Sequence, residues 1–327
     1  MVQIQIPPSL SPDTPPYAGI LFALGGGVIL SVNDLAIKAL SGAYALHQVI
    51  LIRAFVGMAI VLVLMGLSRR GFAQMRTRRW REHLLRVSIV MVSNVTYFLG
   101  LAAMPLADAV ATAFVSPLLI TMMSAVVLGE YVGPRRWAAV AVGMVGVVVM
   151  VRPSSGVIQP AAILVLISAF CYASSNMMTR RMRETESAAT LSFYVQLGFI
   201  FVSAAMGLWV GDGHLAQEKG VLAFLFRPWV FPQVRDYWAF LATGAAVGVG
   251  GLMMSQAYRT TEAALVAPFE YIGMPMAIFW GVVVFGTWPD QHGWIGMALI
   301  CGAGLYTLWR ETVRKKVIEV ATPSGDL

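Results

Sequence analysis

Charge is scarce in this sequence, and the scarcity decides its class. Asp, Glu, Lys and Arg make up 12% of the 327 residues and hydrophobic residues 58%, against roughly 25% charged in a soluble domain. A soluble globule of this length could not hide so much apolar surface, so lipid is the expected solvent for its outer face. Cysteine is nearly absent. Cys171 and Cys301 both lie in apolar runs, which excludes a disulfide framework and a cysteine-based metal site. His47, His83, His214 and His292 fall at span ends or in loops, with no HExxH spacing and no serine–histidine–acid set. An enzyme, a membrane-embedded transferase included, is therefore not expected, and no cofactor is implied. The glycines at 248–251 follow no strand and cannot be a nucleotide loop. The net charge of +7 resides in short inter-helix loops, so nucleic acid is not an expected partner.

What is present in abundance is apolar length. A helix crossing the hydrocarbon needs about 20 mainly apolar residues, and that window predicts ten spans: 17–38, 46–67, 84–104, 107–128, 135–152, 159–180, 188–210, 236–257, 262–286 and 291–309. Residues 1–16 are proline-rich without a basic n-region and read as a disordered tail, not a signal peptide. The one long connection, 211–235, carries Pro228, Trp229 and Pro232. Glycine pairs Gly244/Gly248 and Gly143/Gly146, with Gly25–Gly27, suit close helix approach.

Lysine and arginine orient the chain. Alternate loops hold Arg69, Arg70, Arg76, Arg78, Arg79, Arg81 and Arg86, then Arg135 and Arg136, then Arg180, Arg181 and Arg183, then Arg259; the tail adds Arg310, Arg314, Lys315 and Lys316. The opposite side holds only Lys38, Arg152, Lys219, Arg227 and Arg235. Seventeen against five predicts an even number of spans with both termini in the cytoplasm. The expected location is the bacterial inner membrane, as a monomer or homodimer.

The chain also resembles itself. A shift of 143 lays Ser31 on Ser174, Asn33 on Asn176, Lys38 on Arg181 and Arg53 on Gln196. A shift of 157 lays Leu128-Gly129-Glu130 on Phe285-Gly286-Thr287 and Trp137 on Trp294. This predicts a duplicated five-helix unit, one over 17–152 and one over 159–310, with 311–327 a cytoplasmic tail. Five is odd, so the second unit must enter from the opposite side. Inverted repeats give two packings of similar energy, which is what alternating access needs.

The stretch MPLADAVATAFVSPLLITMMSAVVLGEYVGPRRW at 104–137, with VRP at 151–153, resembles the first repeat of EamA-type proteins of the drug/metabolite transporter (DMT) superfamily. The stretch ALVAPFEYIGMPMAIFWGVVVFGTWPD at 264–290 is similar to the second. The resemblance covers roughly 17–310. It implies an all-α integral membrane fold of ten helices around a central cavity, moving metabolites such as amino acids, nucleoside-like cofactors or cations. Two departures stand out. Thr287 replaces the glutamate usual late in the ninth span, although Glu130 is kept, and the 211–235 loop is long.

An ionisable side chain at bilayer depth costs several kcal/mol unless paired or wet, so each is a functional candidate. Asp34 and Arg53 fall in the outer halves of the first two spans, where they either pin two helices or line a vestibule. Lys38 reads as a snorkelling end residue. Glu270 follows Pro268 near the middle of the ninth span, as a structural pair or as a substrate- or proton-binding carboxylate. Asn33, Asn94, Asn176, Gln196 and Gln256 are neutral lining candidates, and Tyr97, Tyr172, Tyr194, Tyr271 and Trp280 offer aromatic faces for packing or for holding cations and flat rings. The expectation is a carrier for a zwitterion or cation, such as an amino acid, quaternary amine or nucleoside-like cofactor. Protons are the candidate coupling ion, with Glu270 and Arg53 as chief contacts. A non-transporting membrane sensor or assembly protein on the same fold is the alternative.

Overall fold

The computed structural model describes residues 17–68, 71–128, 133–151, 160–182, 185–216, 220–260 and 269–321. The predicted tail 1–16, Glu130, the VRP motif beyond Val151, Pro268 and the side chain of Gln256 lie outside that description. Among the described residues every regular element is helical. In chain order these are α1 (Tyr17–Leu40), α2 (Leu46–Leu67), α3 (Trp80–Ala103), α4 (Leu106–Ala113), α5 (Ser116–Leu128), α6 (Pro134–Val151), α7 (Pro160–Met182), α8 (Ala188–Val210), the short α9 (Ala223–Phe226), α10 (Tyr237–Ala245), α11 (Gly251–Thr260), α12 (Gly273–Phe285) and α13 (Gln291–Ala321).

Among the described residues six stretches are long and apolar enough to cross a membrane: Gly19–Leu40, Leu46–Leu67, Trp80–Ala103, Pro160–Thr179, Ala188–Val210 and Val234–Met254. Leu106–Ile120, Trp137–Met150 and Gly273–Phe285 are shorter apolar helices. The shortening has physical causes. The expected span 107–128 breaks at Phe114-Val115, because Pro117 has no N–H to give to residue 113. The expected span 262–286 breaks at Tyr271-Ile272, three residues before Pro275, and its first residues are outside the description. Under the 157-residue shift Phe114 falls on Tyr271. The two broken segments meet there, with ring centroids 5.0 Å apart. The expected span 236–257 is continuous but holds one π turn, Ala246–Gly250, between α10 and α11.

In lipid, apolar burial gives helices little reason to associate, and close packing of small residues takes over. Helix α3 lies along α7, α2 along α8, α6 along α13, α1 along α10 and α11, and α4 against α12. Taken in repeat order, exchanging the halves returns α2–α8, α4–α12 and α6–α13 to themselves and turns α3–α7 into the pairing of α1 with α10 and α11. The α6–α13 seam is closest at glycine. A Cβ on Gly146 would stand 2.8 Å from the Leu299 Cβ and 3.0 Å from the Gly296 carbonyl. Gly146→Leu is therefore expected to pry the two helices apart at a cost of about 1–3 kcal/mol, seen as a lower unfolding midpoint in detergent. Gly302→Ala, with open space around it, should leave that midpoint unchanged.

Candidate functional site

Four of the predicted residues converge in one polar cluster. Asp34 on α1 accepts hydrogen bonds from the Asn33 amide (3.0 Å) and the Tyr97 hydroxyl of α3 (2.9 Å). The other end of the Asn33 amide accepts from Thr243 of α10 at 2.5 Å. Arg53 enters from α2 and is 2% exposed. Its Nη2 donates to Asn94 at 3.2 Å, and Phe98 and Phe199 each stand 5.2 Å from its guanidinium carbon. Both phenyl faces attract the cation. Its Nε is buried without a partner. A buried guanidinium N–H left open costs free energy that an anionic or carbonyl ligand would recover. Gln196 of α8 presses its amide against Gly57, one turn along α2 from Arg53, and its Oε1 is also buried and unmet.

Glu270 belongs to a second group. It is half-buried at the helix break just before α12. Tyr172 of α7 is within electrostatic reach of it and beside Asn176. Tyr271 turns its ring toward Phe114 and buries an unpartnered hydroxyl close to Gly304. Trp280 donates from Nε1 to Ser31 of α1 at 3.0 Å. The structure thus brings Asn33, Asp34, Tyr97 and Arg53 together, with Gln196 adjoining. Glu270 and Tyr271 lie apart from these on the broken segment, with Asn176 of α7 linked to Glu270 through Tyr172, and Trp280 stands between α12 and α1. Lys38 does not snorkel outward. Its Nζ donates to the carbonyls of Leu101 (2.8 Å) and Met104 (2.6 Å), closing the end of α3. Thr243, Phe98 and Phe199 join the site without having been singled out, because a threonine or phenylalanine in an apolar run carries no signal of which way it faces.

Polar seams close the bundle above and below this cluster. At one end Tyr44 donates to Asp236 at 2.6 Å and Gln48 to the Val230 carbonyl at 2.6 Å, while Arg227 donates to the carbonyls of Ser41 and Tyr44. Burial first, and the Asp236 bond second, push the Tyr44 phenol above its ordinary pKa, so it stays a donor. At the other end Thr77 donates to Glu186 (2.6 Å), Ser187 to Gln74 (2.9 Å), Thr190 to the Gln74 carbonyl (2.8 Å) and Tyr194 to the Met75 carbonyl (2.8 Å). A polar cavity of about 300 Å³ opens beside this second seam, lined by Gln74, Arg76, Glu186 and Thr190 among others. Each seam joins the first half of the chain to the second. Arg76, Arg78 and Arg79 lie in the loop that forms the second seam. Among the described residues no group of histidine, cysteine and acidic side chains could hold a metal ion.

Comparison with known proteins gives the family. A riboflavin transporter of Rhizobium johnstonii is 30% identical over 260 residues, covering 80% of each chain. An S-adenosylmethionine uptake transporter of Rickettsia prowazekii is 21% identical over 293 residues, covering 90% of this chain and 93% of that one. A crystal structure with a TM-score of 0.64 shares the fold at 22% identity, over 90% of this chain and 98% of the other. The model of the EamA-like transporter family matches residues 17–152 and again 159–309. This multi-pass membrane protein is a small-metabolite transporter, not an enzyme, and belongs to the EamA-like transporter family.

Proposed function

We propose that the chain is a secondary carrier which exposes one site alternately to the two sides of the bacterial inner membrane. Its ten spans form two five-helix halves of opposite orientation, 17–152 and 159–310, with both termini and the 311–327 tail in the cytoplasm. The observation that carries this reading is the placement of an unmet guanidinium edge and a carboxylate between two seams, each of which ties one half to the other. Opening either seam alone admits solvent from one side only. The packing scheme, self-consistent under exchange of halves, and the matched helix breaks at Phe114 and Tyr271 support the inverted repeat.

Arg53, Asp34, Asn33, Tyr97 and Gln196 are the proposed contacts from one side, and Glu270, Tyr271, Asn176 and Trp280 from the other. Aromatic faces with a few charged groups suit a flat heteroaromatic ring bearing polar substituents. Riboflavin is the first substrate to test, with S-adenosylmethionine second, since relatives are named for both. Protons remain the proposed coupling ion.

The test is thermal unfolding of purified protein with each ligand, followed by flux into proteoliposomes. A true ligand at 100 times its Kd stabilises by about 2.7 kcal/mol. Glu270→Gln is expected to weaken that ligand at least about tenfold, or about 1.4 kcal/mol. Equal stabilisation of wild type and Glu270→Gln at every pH would remove Glu270 from the site. Absence of flux for every bound ligand would remove the carrier reading and favour a sensor.

A further inference from the structure

The long loop between α8 and α10 has a tip whose chemistry fits neither water nor a protein core. Residues 228–234, Pro-Trp-Val-Phe-Pro-Gln-Val, carry no charge and are bracketed by Arg227 and Arg235. Phe231 is 99% exposed and Val234 80%. The backbone beneath them is nevertheless tied inward at Trp229, Val230 and Gln233. Pro228 and Pro232 have no N–H to satisfy. Trp229 N–H donates to the Gly211 carbonyl at 2.9 Å, and Gln233 N–H donates to the Tyr44 hydroxyl at 2.9 Å. Gln48 takes the Val230 N–H at 3.4 Å and gives to its carbonyl at 2.6 Å. A segment with apolar side chains outward and three of its amides tied inward suits the headgroup–acyl boundary, where water still reaches the remaining amides.

Its level in the molecule agrees. The Trp229 ring lies against Gly207, one turn before the end of α8. Trp209 (69% exposed) at the end of α8 and Trp238 (54%) at the start of α10 flank the tip. Exposed tryptophans at helix ends mark the headgroup level of a membrane protein. Arg227 turns inward onto Ser41 and Tyr44, whereas Arg235, whose Nε stands 3.7 Å from Asp236, is 76% exposed and long enough to reach lipid phosphates beside the tip.

We propose that Val230–Val234 is an interfacial anchor, seated in the headgroup–acyl boundary of the leaflet on that side. Because the same segment holds Tyr44 and Gln48, the lipid surface also steadies the seam between the α1–α2 turn and the second half.

The anchor is tested with an environment-sensitive nitrobenzoxadiazole label on Phe231→Cys, and separately on Val234→Cys, in phosphatidylcholine vesicles. Wild type labelled in parallel gives the contribution of Cys171 and Cys301. His214→Cys, earlier in the same loop and exposed, reports water. The expected result is several-fold stronger quenching of the 231 and 234 labels by shallow spin-labelled lipid than of the 214 label, with the reverse order for aqueous iodide. Labels at 231 and 234 quenched by iodide as strongly as the label at 214 would overturn the proposal. So would shielding that grows with the protein-to-lipid ratio, which would assign the tip to a second copy of the chain.

Discussion

Replacing Arg53 by methionine is expected to reduce transport to the level of empty vesicles while the bundle stays folded. Methionine is of similar length, and its polarizable thioether sits well between Phe98 and Phe199. Asp34 keeps its bonds to Asn33 and Tyr97. What disappears is the planar set of donors, including the buried Nε. Losing a buried charge-assisted contact costs about 2–5 kcal/mol, or roughly 30- to several-thousand-fold in affinity. Arg53→Lys keeps the charge but not the fork and should fall between the two. Initial uptake rates decide the matter, with the unfolding midpoint as the control for folding. Full uptake by the methionine variant would show that Arg53 does not touch the solute.

Locking the second seam should have an effect as large. Gln74 receives the Ser187 hydroxyl and, through its carbonyl, that of Thr190, so the loop before α3 is fastened to the start of α8. Cysteines at 74 and 187, joined by a short bis-methanethiosulfonate linker, are expected to stop flux to background. Reduction of the linker should restore it. Either cysteine alone, or the pair without linker, should lose no more than the neutral hydrogen bonds at stake, about 0.5–1.5 kcal/mol each. Flux that continues through a fully linked seam would mean that the chain does not open there.

Much of this was legible from residue types at depth. A carboxylate and a guanidinium within apolar runs had to find company, and Asp34, Asn33, Tyr97 and Arg53 do so. The 143-residue shift set Arg53 opposite Gln196, and the two helices that carry them lie side by side. The identity of the partners was not legible. Nothing in a stretch such as YFLGL distinguishes Phe98, which faces the cation, from a phenylalanine facing lipid. Bilayer depth also misled for Lys38. A helix end can supply bare carbonyls as good as water, and the side chain turned inward to Leu101 and Met104. Span counting by hydropathy passed over the breaks at Phe114 and Tyr271, because a proline shortens a helix without making it less apolar.

The π turn at Ala246–Gly250 gives the segment it interrupts an unusual mechanical character. On one side of it α10 presents Thr243 to Asn33, and on the other α11 sets Met253 and Met254 against Gly25 and Gly26. A π turn replaces the regular i→i−4 bonding of the helix around it with i→i−5 bonds. The element therefore behaves as two short levers sharing a knuckle, so a tilt of one can be absorbed before it reaches the other. The Thr243–Asn33 bond beside the proposed contact Asn33 thus stands on the opposite side of that knuckle from the far end of α11.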